Sequence, residues 1–263
     1  MKKRTGFLAK IAALTKERIA HEKDLTSAEV LRERIAQDSF APSDFCSALR
    51  KGRGIIAEIK RKSPSRGAIA PELDPVAVAR EYLANGASAI SVLTEPSHFG
   101  GEVADLSRVR SEFPGATLLM KDFVLDSYQL LQARAHQADA VLLIVAFLDS
   151  VSLQRLHFEA VELGLTPLIE VHDEDELAEA GRLQARLFGI NNRNLSTLQT
   201  DLEVSRRLVR GKDANSVFVS ESGIESKAAI DELRGLGFEG FLVGTALMQD
   251  KTPGASLRKL VGL

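Results

Sequence analysis

From residue 54 onward the chain alternates short Val/Ile/Leu-rich runs with longer amphipathic stretches, and it does so eight times. Successive runs start roughly 20 to 35 residues apart, the length that a strand, a helix and two turns consume. The runs predict strands over 55–60, 88–93, 117–120, 140–145, 166–171, 187–190, 216–220 and 240–243. Helix starts are predicted at Asp74-Pro75, Asp126, Asp149-Ser150, Asp173, Asp201, Ser226 and Thr252-Pro253, all residue types that cap or open helices. Gly86, Gly164 and Gly237 sit where helices should stop. Eight βα units with no shift in composition, and no Gly-x-Gly-x-x-Gly turn after any strand, predict an α/β fold of the closed (β/α)8 TIM-barrel type over an open doubly wound sheet.

Residues 1–50 precede the first strand and carry helical periodicity through Ile11, Leu14, Ile19, Leu25, Val30, Leu31 and Ile35. They predict an N-terminal helical extension to a barrel spanning 51–263, within a single domain overall. Such a segment can plug the bottom of the barrel or cover its catalytic face, and the pattern by itself favours neither.

A formal net charge of −2 gives no general attraction to nucleic acid or to an anionic membrane, so an acidic ligand must be met by a local site. The expected partner is a small molecule. The one cysteine, Cys46, excludes an internal disulfide framework and fits core packing in a reducing compartment. His21, His98, His136, His157 and His172 show none of the close pairings of a zinc site, so no metal is expected. The longest apolar run, Ala140 to Leu148, lies between Asp139 and Asp149 and is too short to cross a bilayer. No apolar segment follows the basic start Met1-Lys-Lys-Arg-Thr5, and Glu17, Glu22 and Asp24 come early, so a cytoplasmic protein without a targeting peptide is expected.

Barrel chemistry gathers at the C-terminal ends of strands. In Ile55-Ile-Ala-Glu-Ile-Lys60, Glu58 and Lys60 stand two apart and so face the same side of the first strand, which in a barrel is the interior. Alone, this pair is also what a surface ion pair looks like. Strand three, however, ends in Lys121-Asp122, strand five in Glu170, strand six in Asn191-Asn192-Arg193 and strand seven in Glu221-Ser222-Gly223. Five strands ending alike predict one shared site. Ser222-Gly223 and Gly244-Thr245, after strands seven and eight, have the composition of a phosphate loop, although each alone could be an ordinary glycine turn. Two lysines and several carboxylates in one cavity can move protons in both directions. Burial and a second ammonium favour a lowered lysine pKa while carboxylate partners oppose it, so spacing leaves the net value open.

These segments resemble the indole-3-glycerol phosphate synthase family. The resemblance rests on Ala57-Glu-Ile-Lys-Arg-Lys-Ser-Pro-Ser65, Ser91-Val-Leu-Thr-Glu95, Lys121-Asp-Phe123, Leu168-Ile-Glu-Val-His172, Gly189-Ile-Asn-Asn-Arg-Asn-Leu195 and Val219-Ser-Glu-Ser-Gly-Ile224, and covers nearly the whole chain. It implies a lyase of tryptophan biosynthesis, free of metal and cofactor, with no fused second enzyme. Such an enzyme converts 1-(2-carboxyphenylamino)-1-deoxyribulose 5-phosphate to indole-3-glycerol phosphate, CO2 and water. It implies Lys121 as general acid and Glu170 as the base that assists dehydration, with Lys60 beside the anthranilate carboxylate and the reacting carbonyl. Acid duty is left shared between the two lysines. Glu58, Asn191 and Glu221 would orient these groups and the substrate hydroxyls. Ser63, Gly223, Gly244 and Thr245 would meet phosphate, Arg193 and Ser222 would hold substrate, and Phe99 and Phe123 would wall the aromatic ring unless they are core packing. The extension becomes a lid over the catalytic face.

Two departures carry expectations. His98 stands where a second aromatic is common, which would alter the ring-binding wall. The stretch 181–188 lacks the usual Gly-Ala-Asp approach to strand six, which predicts an effect on stability with the chemistry intact. Two rival functions remain at this stage: a Schiff-base aldolase using Lys60 or Lys121, and a non-catalytic barrel that binds a phosphorylated metabolite.

Overall fold

The computed structural model describes residues 6–64, 67–248 and 252–263; Met1–Thr5 and Ser65 of the first motif lie outside them. Eight parallel strands close into a barrel in chain order: β1 (Ile55–Ile59), β2 (Ala89–Leu93), β3 (Leu118–Lys121), β4 (Ala140–Ile144), β5 (Thr166–Val171), β6 (Leu187–Asn191), β7 (Val217–Glu221) and β8 (Gly240–Val243). β8 returns to pair with β1, setting Phe241 opposite Ile55 and Val243 opposite Ala57. Every expected strand is present, its ends moved by no more than one residue. One feature was not anticipated: after β1 the chain forms an antiparallel ribbon, Lys62–Ser63 with Gly67–Ala68.

Alternation within each strand explains both cores. Ile55, Ala57 and Ile59 of β1 point outward into the layer between sheet and helices, with Val141, Leu143, Ile169 and Phe241. Ile56 points inward with Leu119, Leu168 and Val219. These four come from the odd strands and form one interlocked layer of the interior, as strand tilt requires. Asp74, Asp126, Asp149, Asp173 and Ser226 each cap the helix predicted at that point, accepting backbone N–H bonds of its first turn. At Asp201 the expectation is off by one. The residue preceding helix Glu203–Leu208 is Leu202, which has no capping side chain, and Asp201 reaches over it to accept from the Glu203 N–H at 2.9 Å. The backbone is left-handed at Gly86, Gly164 and Gly237, where helices end.

The N-terminal segment divides between the two ends of the barrel. Helix α1 (Gly6–Leu25) buries Ile11, Ala12, Thr15 and Ile19, a stripe at helical spacing. Its Arg18 forks onto the Asp122 carboxylate at 2.8 and 3.0 Å and reaches the Thr94 carbonyl, so α1 lies over the C-terminal strand ends. Helix α2 (Ala28–Gln37) packs on the outer helix Ser127–Ala135. Helix α3 (Phe45–Lys51) closes the opposite end with Phe45, Cys46 and Leu49. There the Cys46 thiol faces the Arg186 carbonyl just before β6, and Leu49 abuts Gly240 at the start of β8. The extension thus places α1 over the C-terminal strand ends and α3 at the opposite end. Among the described residues no helix is long and apolar enough to cross a membrane.

Candidate active site

One pleat beyond the Ile56, Leu119, Leu168, Val219 layer, the same four strands deliver Glu58, Lys121, Glu170 and Glu221 into the interior. Lys60 follows Glu58 at the top of β1. All fourteen residues proposed from sequence line one cavity of about 330 Å³: Glu58, Lys60, Ser63, Phe99, Lys121, Phe123, Glu170, Asn191, Arg193, Glu221, Ser222, Gly223, Gly244 and Thr245.

The even strands make room for these charges by withholding side chains. A Cβ on Gly189 of β6 would come within 2.0 Å of Glu221 Oε1, and one on Gly244, just past β8, within 2.3 Å of Glu58 Oε1 and 3.0 Å of Lys60 Nζ. Gly244 therefore clears space for the Glu58–Lys60 pair as well as for a ligand. That pair is tight, with Lys60 Nζ donating to Glu58 Oε1 at 2.6 Å. Lys121 Nζ stands 3.9 Å from Glu58 Oε2 and 3.8 Å from Glu221 Oε2, central to the carboxylates and bonded closely to neither.

The electrostatics divide the carboxyl groups by role. Burial disfavours charge on Lys121, but Glu221, Glu58 and Glu170 outweigh it and raise its pKa above the ordinary lysine value. The question left open by spacing is answered: the ammonium is the stable form. Burial likewise opposes ionisation of Glu58, yet Lys60 and Lys121 lower its pKa. Glu170 falls to about 2, because His172 close beside it and the Lys121 charge overcome burial. Glu221 goes the other way, to about 8, through burial and the neighbouring Glu170 charge. It is thus protonated at neutral pH. Its Oε1 is buried without a hydrogen-bond partner, facing Gly189.

Aromatic rings form the opposite wall. Phe123 packs against Phe99 (6.2 Å between centroids), Phe147 (5.3 Å) and Phe7 of α1 (6.4 Å). Phe99 is fixed by the buried Glu95, which accepts the Ser97, His98 and Phe99 N–H groups. His98 does not line the cavity. It stands behind the wall, edge-on to Phe7 at 5.6 Å, so its effect on the wall runs through Phe7. At the other end Ser222 and Gly223 are both left-handed (φ 66° and 77°), a tight turn that bends the backbone beside the cavity. Asn192 holds that turn by donating to the Glu221 and Ser222 carbonyls. Asn191 accepts the Arg193 N–H at 3.0 Å, and the Arg193 guanidinium donates to the Leu198 carbonyl.

Sequence reasoning missed Phe7, Gly189 and His172. Phe7 carried no signal, since a phenylalanine near a helix start is ordinary core. His172 was legible: Glu170-x-His172 has the same two-residue spacing that marked Glu58-x-Lys60.

The fold and this site define an α/β-barrel enzyme whose cavity gathers buried lysines and glutamates beside aromatic rings and a glycine turn. Residues 8–260 match the family model described as indole-3-glycerol phosphate synthase, and the chain belongs to that family. Relatives that carry the family's name include one from Nocardioides sp. (45% identical, covering 93% of this chain and 94% of that protein) and one from Koribacter versatilis (42%, 94% and 96%). One from Salinibacter ruber is 41% identical over 94% and 92%. Among solved structures, 3-hexulose-6-phosphate synthase from Salmonella typhimurium superposes with a TM-score of 0.65 at 12% identity, covering 80% of this chain and 97% of that one. Thiamine phosphate pyrophosphorylase from Pyrococcus furiosus gives 0.59 at 19%, over 82% and 96%. At such identities these two show the shared fold alone.

Proposed function

We propose that this barrel performs the family's decarboxylating ring closure of 1-(2-carboxyphenylamino)-1-deoxyribulose 5-phosphate, with Lys121 as general acid and Glu170 as base. The observation that carries the assignment is the single layer in which Lys121 stands between Glu58 and Glu221, with ionised Glu170 on the strand between. Lys121 donates its proton to the ketone oxygen as the ring carbon bearing the carboxylate attacks the carbonyl carbon. The new C–C bond forms and the developing alkoxide becomes a hydroxyl. CO2 then leaves, its bonding pair returning to the ring. The hydroxyl departs as water with a proton from an ammonium, while Glu170 takes the proton whose loss makes the indole double bond. A strongly held ammonium suits this use, because transfer becomes favourable only when negative charge develops beside it.

Lys60, pinned by Glu58, holds the anthranilate carboxylate and the carbonyl end. Asn191 orients Glu170, and protonated Glu221 donates to a substrate hydroxyl. Ser63, Gly223, Gly244 and Thr245 receive the phosphate, Arg193 and Ser222 hold the chain, and Phe99 and Phe123 flank the ring. The ionised Glu58 and Glu170 that help hold Lys121 protonated argue against Schiff-base chemistry, which needs the free amine. The partner is a small phosphorylated substrate rather than nucleic acid or membrane, and the lone buried Cys46 supports a cytoplasmic setting. Residues 1–50 are the helical extension and 51–263 the barrel, a boundary that falls in the last turn of α3.

The test is indole fluorescence on mixing the protein with this substrate, without added metal, beside Lys121→Met. Growth of signal in the wild type and its loss in the variant is the expected result. A folded wild type that binds the compound and yields no signal would sink the assignment.

A further inference from the structure

The side of Glu170 away from the cavity carries a second, unassigned constellation. His172, just past the end of β5, turns Nε2 toward Glu170 Oε1 at 3.3 Å and Nδ1 toward Glu176 Oε2 at 3.0 Å. The same Glu176 oxygen accepts the His172 backbone N–H at 2.9 Å. Glu176 lies in the first turn of helix Glu174–Gly181, where its own N–H is taken by the capping Asp173, so a helix N-terminus fixes its position. With Nδ1 bonded to Glu176 and Nε2 standing 3.3 Å from the Glu170 carboxylate, a ring protonated on both nitrogens meets an anion on either side. A neutral ring would set a lone pair against one of them. Accordingly the ring is raised to about 10: burial opposes its charge, and Glu170 and Glu176 outweigh burial. His172 does not line the cavity, so whatever it does to the reaction passes through Glu170.

We propose that His172, braced by Glu176, is a positioning residue that aims the Glu170 carboxylate and keeps it from pairing with Lys121. This rests on Glu170 being the base. Within the cavity Lys121 faces Glu221, Glu58 and Glu170 together, with Arg193 as a further nearby cation. Glu170 is faced by Lys121 from β3, His172 from just past the end of its own strand and the Asn191 amide from β6. Glu58 adds negative charge from β1, while Glu221 of β7, held protonated, adds none at neutral pH. An acid and a base that bond to one another are both quenched. A cation behind Glu170, outside the cavity, holds it ionised without engaging the acid. The long 3.3 Å contact leaves Nε2 without a well-aligned partner, slack that the substrate complex can take up.

The test is the pH profile of kcat for wild type, His172→Gln, Glu176→Gln and Glu170→Gln. Gln keeps a donor at 172 and removes the charge. Loss of that cation raises the Glu170 pKa, so the acid limb moves upward by about one pH unit or more in His172→Gln. It moves the same way but less in Glu176→Gln, with KM changed by no more than about twofold. A purely structural role lowers kcat equally at all pH values, and a folded His172→Gln with an unmoved acid limb overturns the proposal. Normal turnover by Glu170→Gln would instead remove the base assignment beneath it. Should the variants fail to fold, the wild type decides: imidazole 15N shifts must show both His172 nitrogens protonated at pH 8, and a neutral ring there overturns it.

Discussion

In the lower half of the barrel Ile56, Leu119, Leu168 and Val219 interlock and α3 seals the end with Phe45, Cys46 and Leu49. One pleat further along the same strands, about 7 Å, stand Glu58, Lys121, Glu170 and Glu221. Both layers obey the same alternation, although the upper one borders the cavity. They differ in what their burial costs. The lower layer gains by leaving water, whereas each charge in the upper layer loses by it and persists only because the others offset that loss. The chain thus separates the part that holds the barrel shut from the part that reacts, by two residues on each of four strands.

Two substitutions at equivalent depth try that separation most severely. Lys121→Met should lower kcat by roughly 10³-fold or more while substrate affinity stays within a few-fold, as expected of a group used in the transition state. Leu168→Ala, one layer down from Glu170, should instead lower unfolding free energy by about 2–5 kcal/mol, with kcat per folded molecule close to wild type. Chemical denaturation and active-site-normalised kinetics measure both. If Leu168→Ala crippled kcat, the layers would be mechanically coupled and the contrast would fail.

Gly244→Ala sharpens the comparison from the even strands. Its Cβ would press on Glu58 Oε1 and Lys60 Nζ, both tied in the tightest ion pair of the layer. We expect kcat lowered by roughly 10- to 100-fold together with a raised KM, since both the pair and the phosphate loop must shift. A pure KM effect would mean that Gly244 serves only the phosphate.

The upper layer should also respond to pH as the lower one cannot. Glu221 is raised from an ordinary 4.5 to about 8, so the stability tied to its protonated form is fully present below 4.5 and is lost as pH rises through 8. Glu221→Gln, which never ionises, removes that loss. Its stability relative to wild type should therefore improve between pH 5 and 8 by on the order of 3 kcal/mol. Parallel curves in urea titrations at the two pH values would show that Glu221 ionises as it does in water.

Much of this was legible in advance for a physical reason. A parallel barrel repeats one local pattern eight times, and the strand-end charges are the places where that pattern breaks. Glu58, Lys60, Lys121, Glu170 and Glu221 were visible as polar residues at the ends of apolar runs. What was hidden depends on distances across the barrel. Gly189 matters only because Glu221 of the next strand fills its missing side chain. Phe7 matters only because α1 folds over the strand ends, and the helical pattern of residues 11–35 did not say which end of the barrel a helix would take. The opposite shifts of Glu170 and Glu221 could not be read from residue type, since both are glutamates at strand ends and differ in their surroundings, with His172 and Asn191 at Glu170 and the Glu170 and Glu58 charges at Glu221.

The smallest effect is expected on the face remote from the chemistry. The turn between helix Glu174–Gly181 and β6, where the usual Gly-Ala-Asp approach is missing, places Gln184 in the left-handed region at φ 53°. A residue with a Cβ is strained there, and glycine is not. Gln184→Gly relieves that strain but adds freedom to the unfolded chain, so the two terms partly cancel. The net gain should be under about 1 kcal/mol, read as a slightly raised denaturation midpoint with an unchanged slope. Because this turn feeds the N-terminal end of β6, while Asn191 serves the cavity from its C-terminal end, kcat and its pH profile should not move. A shift in either would mean that strain at the foot of a strand is transmitted to its tip, and that the lower half of the barrel also sets the geometry of the upper.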